Sequence, residues 1–265
     1  MNIMVKLLAI VVLLLVGHAA TIMTAQTTRI VSPKAKTPFI FPEVEIGAGL
    51  TTFYLNGDNP ARDLIYPKDT IRSIGGGFSG SHPGLAFRAT FILDPERTFR
   101  VVAGFDYMVL VGQQRIEASG FSFYAKHTVN VPAAVLGFEY AYANLPLAKA
   151  KAYAGIDIRN TFVSGTFHKT IVYTNFKPFK VDEEEFTTKE SVSRLGMGLR
   201  LGVEGELSPP VTINMCAGYS SINLFNPNTS GSRGQLLTPT VSEDFDRVER
   251  ILGNLSFTMM VQYKF

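Results

Sequence analysis

The side chains of this chain that could carry out chemistry are few and scattered. Beyond the first 25 residues there are three histidines, namely His82, His127 and His168. His127 lies near Ser122 and Glu117 in the sequence, and a hydroxyl, an imidazole and a carboxylate are the groups of a base-activated nucleophile. No fixed spacing defines such a set, so we predict that the chain is not an enzyme.

Metal-binding patterns are equally weak. The single cysteine, Cys216, together with so few histidines gives no zinc spacing, and we expect it to be a small filler side chain. The acidic run 182–185 could offer carboxylate oxygens to Ca²⁺. Lys177, Lys180 and Lys189 lie close to this run and lower its net charge. We therefore predict a solvated loop there, with no cofactor and no metal.

The composition is apolar for a protein of 265 residues. Hydrophobic residues make up 46% and charged residues 18%, where a soluble globular protein has about 25% charged residues. The formal net charge is only +3, and no block is dense in lysine and arginine. These features argue against a nucleic-acid partner.

The first 42 residues predict export. Lys6 precedes a ten-residue apolar run from Leu7 to Val16, and small residues follow as far as Ala25. This order is typical of a secretory signal peptide, here residues 1–25. The apolar run is too short for a membrane-spanning helix, which needs about 20 residues. Residues 26–42 contain three prolines and are predicted to be an N-terminal periplasmic extension.

From residue 43 onwards, apolar and polar residues alternate. Such a period of two places each set on one face of a β-strand. Most of the alternating segments have the length that a tilted strand needs to cross a bilayer, about ten residues. Pro132 interrupts one of them and predicts a bulge or a break. The eight segments are 43–55, 85–93, 99–111, 129–143, 151–162, 193–203, 211–219 and 255–265.

The connections alternate in length. Short ones are predicted at 94–98, 144–150 and 208–210. Long ones are predicted at 56–83, 113–128, 166–190 and 225–247. Outer-membrane barrels show this asymmetry, with short periplasmic turns and long extracellular loops. We therefore predict an all-β, antiparallel, up-and-down transmembrane β-barrel over residues 43–265, with about eight strands and ten as the alternative. The three histidines would then lie in extracellular loops.

The polar faces of these strands hold charge. An eight-stranded barrel has an interior just wide enough for side chains, so we predict a salt-bridged polar interior without a continuous water channel. A soluble barrel with its charges turned outward also fits the alternation alone. The predicted interior residues are Arg88, Arg100, Asp106, Glu139, Asp157, Arg159, Arg194, Arg200 and Glu204.

The end of the chain favours the membrane barrel. Val261, Tyr263 and Phe265 alternate up to the last residue, and this ending resembles the signal by which bacterial outer-membrane barrels are recognised for assembly. The chain resembles the small outer-membrane β-barrel superfamily of the OmpA/OmpX transmembrane type. The resemblance implies outer-membrane lipid and the assembly machinery as partners. It does not include the peptidoglycan-binding domain of two-domain OmpA proteins.

One loop has strand character of its own. Residues 170–174 and 176–181 alternate around Asn175, as a hairpin would. An exposed ribbon can pair with other chains through its edge. We therefore predict a non-enzymatic outer-membrane protein whose long loops serve surface interaction, adhesion or envelope integrity and bind an extracellular ligand. The alternatives are a small porin-like channel and an envelope-lipid-modifying enzyme.

Overall fold

The structure is a computed structural model that describes residues 43–56, 73–75, 77–227, 236–237 and 249–265. The predicted signal peptide, residues 1–25, and the predicted extension, residues 26–42, lie outside the described residues. Within the described part of the chain, no helix has the length and apolar character needed to cross a membrane.

The described part of the chain forms ten β-strands. They are β1 (Glu43–Asn56), β2 (Ser73–Gly75), β3 (Ser81–Ile92), β4 (Phe99–Ala118), β5 (Phe121–Asn130), β6 (Ala133–Asn144), β7 (Lys151–Tyr173), β8 (Lys180–Ser208), β9 (Val211–Ser221) and β10 (Gly253–Lys264).

The strands close into a ring of eight positions. Antiparallel pairing runs β1–β3–β4–β6–β7–β8–β9–β10, and β10 pairs back onto β1 from Glu45 opposite Lys264 to Asn56 opposite Gly253. The predicted antiparallel up-and-down barrel of eight strands is confirmed. There are ten strand segments because β2 is a short addition beside β4 and because β5 and β6 share one position in the ring.

The shared position contains the predicted break. β5 ends at Asn130 and β6 begins at Ala133, with Pro132 between them. The Val131 N–H donates to the Met108 carbonyl at 2.8 Å, and the Phe162 N–H donates to the Pro132 carbonyl at 2.8 Å. Residues 131 and 132 therefore still link β4 to β7, although Pro132 has no backbone N–H to donate.

Short turns join the strands at the end of the barrel that holds Glu43 and Lys264. In the β3–β4 turn, the Asp94 carboxylate accepts the Thr98 and Phe99 backbone N–H groups at 2.9 and 2.6 Å. The β6–β7 connection closes with the Leu145 N–H donating to the Ala150 carbonyl at 2.7 Å. The β8–β9 turn consists of two prolines, at 209 and 210. The three predicted short connections are confirmed.

Two of the four predicted long loops are strands. β4 continues to Ala118 and β5 starts at Phe121, so the predicted loop 113–128 is a hairpin with a two-residue turn. The predicted loop 166–190 is the hairpin of β7 and β8, which confirms the ribbon around Asn175. The prediction of long loops was wrong here because the strands lose their apolar residues beyond the barrel without ending.

These extensions form what we call the outer sheet. It consists of β2, residues 109–118 of β4, β5, residues 164–173 of β7 and residues 180–189 of β8, paired in the order β2–β4–β5–β7–β8. Its two hairpin tips touch, because the Thr174 N–H donates to the Gly120 carbonyl at 2.9 Å. Gly120 has φ of 89°, a left-handed conformation that suits glycine in a tight turn.

Candidate functional site: the barrel lumen and the outer sheet

An arginine from a turn covers the lumen at the end of the barrel that holds Glu43 and Lys264. Arg97 pairs with Glu43 at 2.9 Å, lies 3.9 Å from Glu204, and contacts Glu45. Arg100 of β4 reaches the same Glu204 at 2.5 Å. These five charged groups close the terminal mouth of the barrel.

A second cluster lies deeper in the lumen and centres on Arg200. Its guanidinium pairs with Asp157 at 2.9 Å and with Glu139 at 3.3 Å, and Arg159 pairs with Asp157 at 2.9 Å. The Arg200 side chain is 7% exposed. Charges this deeply buried need partners, because removing an ion from water costs several kcal/mol.

Further polar groups fill the space beside these pairs. Arg88 pairs with Asp106 at 2.6 Å. The Tyr153 hydroxyl donates to Asn214 Oδ1 at 2.7 Å, and the Arg100 guanidinium lies 5.7 Å from the centre of the Tyr153 ring. The lumen therefore also holds polar contacts from β3, β4, β7 and β9.

Eight of the nine predicted interior residues lie in these two clusters or pair directly beside them. Arg194 lies elsewhere. It makes a two-pronged contact with Glu249 of the β9–β10 connection, 2.7 Å at the shortest, and Asn223 also contacts Glu249. The predicted interior residues did not include Arg97, Glu45 or Glu249. Glu45 alternates in phase with the inward face of β1, and that signal could have identified it.

Above the charged half, the lumen is apolar. Inward-facing residues of the barrel strands meet Phe78 from the β1–β3 connection and Leu236 and Leu237 from the β9–β10 connection. The remaining members of this apolar cluster are Phe53, Leu55, Met108, Leu110, Val129, Val131, Val163, Ile222 and Leu252. We call it the apolar cap, because it covers the charged half from the outer side.

A row of rings continues the apolar cap along the inner face of the outer sheet. Ring centres are separated by 5.4 Å between Phe78 and His127, by 6.0 Å between His127 and Phe167, and by 5.2 Å between Phe167 and Phe186. Such spacings are those of favourable aromatic pairs. The row ties a connection between strands to three strands of the outer sheet.

The outside of the ring is apolar. Outward side chains from all eight positions are between 38% and 69% exposed although they are large hydrophobics, and charged partners lie on the opposite faces. Such a belt would be unfavourable in contact with water, whereas contact with lipid is favourable. These side chains are Ile46, Leu50, Leu85, Phe87, Phe105, Leu136, Phe138, Ile156, Ile158, Leu199, Val203, Met215, Phe257 and Met259.

No family model and no curated protein matches the chain. Solved structures do. The outer membrane protein OprG from Pseudomonas aeruginosa is 14% identical with a TM-score of 0.40, over 85% of this chain and 96% of that one. The outer membrane protein AlkL is 12% identical with a TM-score of 0.39, over 90% and 97%. Neisserial surface protein A is 11% identical with a TM-score of 0.36, over 84% and 97%.

OprG and AlkL are outer membrane proteins. Similarity at these identities and TM-scores carries no conclusion about residues or role. The closed ring of eight strands and the apolar belt are properties of this chain itself, and they exclude a soluble barrel, which would turn its charges outward. The chain folds as an antiparallel, up-and-down β-barrel with a lipid-facing belt.

The outward face of β4 marks where the belt of this barrel ends. Its outward residues are apolar up to Val111 and polar from Gln113, which is followed by Arg115 and Glu117. The change from apolar to polar on one continuous face is expected where a strand leaves the hydrocarbon. The outer sheet therefore begins at the membrane boundary.

The groups considered for nucleophilic chemistry do not come together. The three histidines lie in β3, β5 and β7 and not in loops, which corrects that prediction. His127 faces Thr188 Oγ1 at 2.9 Å, whereas the Ser122 hydroxyl donates to Glu117 at 2.7 Å. The Ser122 hydroxyl and Arg115 hold the pKa of the Glu117 carboxyl below its ordinary value, which makes it a weaker base.

The acidic run lies on β8 in the outer sheet. Asp182 pairs with Lys180 at 3.2 Å and Glu184 pairs with Lys169 at 2.8 Å, all on exposed parts of the hairpin. Among the residues that the structure describes, no group of three or more metal-ligating side chains is present. The run is therefore a solvated charged strand, and not a loop as predicted.

The three residues of the predicted assembly signal point outward from β10 and its end. Val261, Tyr263 and Phe265 are 53%, 49% and 72% exposed. The Tyr263 and Phe265 rings are 4.9 Å apart at their centres. The Phe265 N–H donates to the Val44 carbonyl at 2.9 Å, so the end of the chain is held against β1.

Proposed function

We propose that this chain is a non-conducting, non-enzymatic outer-membrane protein whose barrel anchors the outer sheet at the cell surface, where the sheet binds partners. The observation that carries the proposal is the continuation of four barrel strand positions into a sheet beyond the apolar belt. An anchor needs such a rigid extension, whereas a pore needs an open lumen.

The filled lumen supports the absence of conduction. In the charged half, the side chains of Arg88, Arg100 and Arg200 are each less than a tenth exposed. In the outer half, the apolar cap contains residues from both strands and connections. An ion crossing this barrel would have to displace buried ion pairs and then pass an apolar layer, and both steps are costly.

The outer sheet supports partner binding. Among the described residues, β9 pairs with β8 from Met197 to Ser208, and residues 180–189 of β8 pair with β7 on one side alone. A strand edge of this kind offers backbone groups to an extended segment of another chain. Phe176, Phe179 and Val181 are at least half exposed near the same hairpin tip and add apolar contact area.

Planar-bilayer recording tests the first half of the proposal. We expect the purified, refolded barrel to give no steady current of porin size. The variant Leu110→Ala with Val163→Ala shortens two side chains of the apolar cap. It serves as a comparison that shows whether the recording responds when the cap is loosened. Steady conductance from the unaltered protein would establish the porin-like alternative.

Cysteine labelling on whole cells tests the placement of the outer sheet. The chain's single cysteine, Cys216, is replaced by serine, and a new cysteine is introduced either at Asn175 in the hairpin turn or at Glu96 in the opposite turn. A membrane-impermeant maleimide should label Asn175→Cys on intact cells and Glu96→Cys only after lysis. The reverse result would place the outer sheet in the periplasm and reject the proposal.

The proposal includes the route to the membrane. Residues 1–25 would be a cleaved signal peptide, and the outward side chains of Val261, Tyr263 and Phe265 would be available to the assembly machinery. Phe265→Ser should lower the amount of barrel recovered from outer membranes, whereas Phe257→Ser, on the same face of β10, should lower it less. Equal losses would show that only apolar area matters.

A further inference from the structure

The outer sheet carries a groove on its outward face. The groove has a volume of about 420 Å³ and crosses β2, β4, β5 and β7. Its outward lining side chains are Ile74, Gln113, Arg115, Tyr124, Lys126 and His168. Cross-strand pairing places Gln113 beside Lys126 and Lys126 beside His168. The groove therefore presents a row of nitrogen-bearing side chains across three strands.

The charge in the groove favours an anion. Arg115 and Lys126 are exposed basic residues, and the Arg115 guanidinium lies 5.0 Å from the centre of the Tyr124 ring, which orients it. One carboxylate competes, because Glu117 contacts Arg115 and accepts from Ser122. Lys126 and its cross-strand neighbour His168 are farther along the sheet from Glu117 than Arg115 is. Glu185 of β8 pairs opposite His168.

The height of the groove selects the kind of anion. Gln113 and Arg115 follow Val111, the last apolar outward residue of β4, by two and four residues. With a rise of about 3.4 Å per residue and a strand tilt of roughly 35–45°, they lie about 5 and 10 Å above the edge of the hydrocarbon. The polar headgroup layer of one leaflet is about 5–7.5 Å thick. Gln113 and its cross-strand neighbour Lys126 therefore lie within this layer, and Arg115 lies just above it.

The groove also faces sideways, in the plane of the membrane. It lies on the continuation of the lipid-facing surface of the barrel, and not on the inner face that packs on Phe78 and His127. We propose that this groove binds the phosphorylated headgroup of an outer-leaflet lipid, with Arg115 and Lys126 on the phosphate and Gln113 and Tyr124 beside it. This site would fix the height and rotation of the outer sheet over the membrane.

Titration of the folded, detergent-purified full chain with fluorescently labelled lipopolysaccharide tests the proposal. The groove variant is R115Q with K126Q. The matched control is K177Q with K180Q, which removes two positive charges from the hairpin tip of the same sheet. Because each basic residue near an anionic surface contributes modestly, we expect affinity to fall roughly tenfold or more for the groove variant and by about twofold or less for the control.

Two further probes distinguish the source of the phosphate. Enzymatic removal of the lipid phosphates should weaken binding to the unaltered protein and have no added effect on the groove variant. Equal losses for groove and control variants, or no loss for either, would overturn the proposal. Inorganic pyrophosphate that bound as tightly as the lipid would also overturn it, since the ligand would then be a free phosphate. None of these outcomes depends on whether the lumen conducts.

Discussion

Arg200 holds two carboxylates, Glu139 and Asp157, that lie with it inside the barrel. We predict that Arg200→Ala destabilises the barrel strongly, by about 3–5 kcal/mol, because it leaves buried charges without their partner. Unfolding by urea in lipid vesicles would measure the loss. Lys149→Ala, which removes a pair with Glu206 at an exposed turn, should leave the midpoint nearly unchanged.

The double change Arg200→Met with Glu139→Gln sharpens this prediction. It removes the arginine together with the Glu139 carboxylate, and Asp157 keeps its pair with Arg159 at 2.9 Å. The double variant should therefore cost less than Arg200→Ala alone. A larger loss for the double variant would mean that shape and packing at this site matter more than charge.

Asp94 makes the turn between β3 and β4 sensitive to acid. Burial raises the pKa of its carboxyl, but hydrogen bonds from the Phe99 and Thr98 backbone N–H groups outweigh this and bring it below the ordinary 3.8. A carboxyl with a lowered pKa stabilises the fold above its ordinary pKa and loses that contribution as the pH falls through the lowered value. The difference in unfolding midpoint between the unaltered protein and Asp94→Ala should therefore be full at pH 7 and shrink below about pH 4. A constant difference across that range would contradict it.

Residue types predicted most of the lumen, including Arg100 and Glu204 of the terminal mouth, but not the arginine that covers it. The arginines and acids on inward faces could be assigned because a period of two fixes the face of every residue in a strand. Arg97 could not be assigned, since it lies in a turn, where no periodicity applies; its φ is 57°. Glu249 could not be assigned for the same reason, because it lies in the β9–β10 connection.

At the scale of elements, the tip of the β7–β8 hairpin should be separable from the rest of the fold. We predict that replacing residues 172–181 by Asn-Gly, the favoured two-residue hairpin turn, leaves a folded barrel, since Ile171 and Asp182 are already opposite each other. The ring of strand pairs below is untouched. Resistance of the membrane-embedded part to protease would measure this, and loss of the protected fragment would show that the hairpin is needed for folding.

Strand positions could be predicted where lipid contacts the barrel, and only in part beyond it. Inside the membrane the outward face must be apolar, so alternation appears in the sequence. In residues 113–118 the outward face is polar, so the sequence of this strand resembles that of a loop. Ser119 and Gly120 were the remaining signal of a tight turn. The partial alternation around Asn175 was enough to identify the other hairpin.

At the scale of the whole molecule, the ring has no free edge within the belt. Closed barrels leave no unpaired backbone for detergent to invade. We predict that the unboiled protein migrates faster than the boiled protein in a denaturing gel with detergent, because the folded form stays compact. Identical mobility, with the protein recovered from the soluble periplasm, would contradict a membrane barrel. A variant with a charge in the belt, Leu199→Arg, should keep the shift in detergent but insert poorly into vesicles.

The pairing of β1 with β10 brings the first and last described strands together, with Glu45 opposite Lys264 at one end of the ring. In a closed ring, every pair of neighbours is equivalent, so the order in which the strands are synthesised does not define the architecture. A short linker between these two strands, with new termini opened in the turn between β7 and β8, should therefore give a circularly permuted chain with the same barrel.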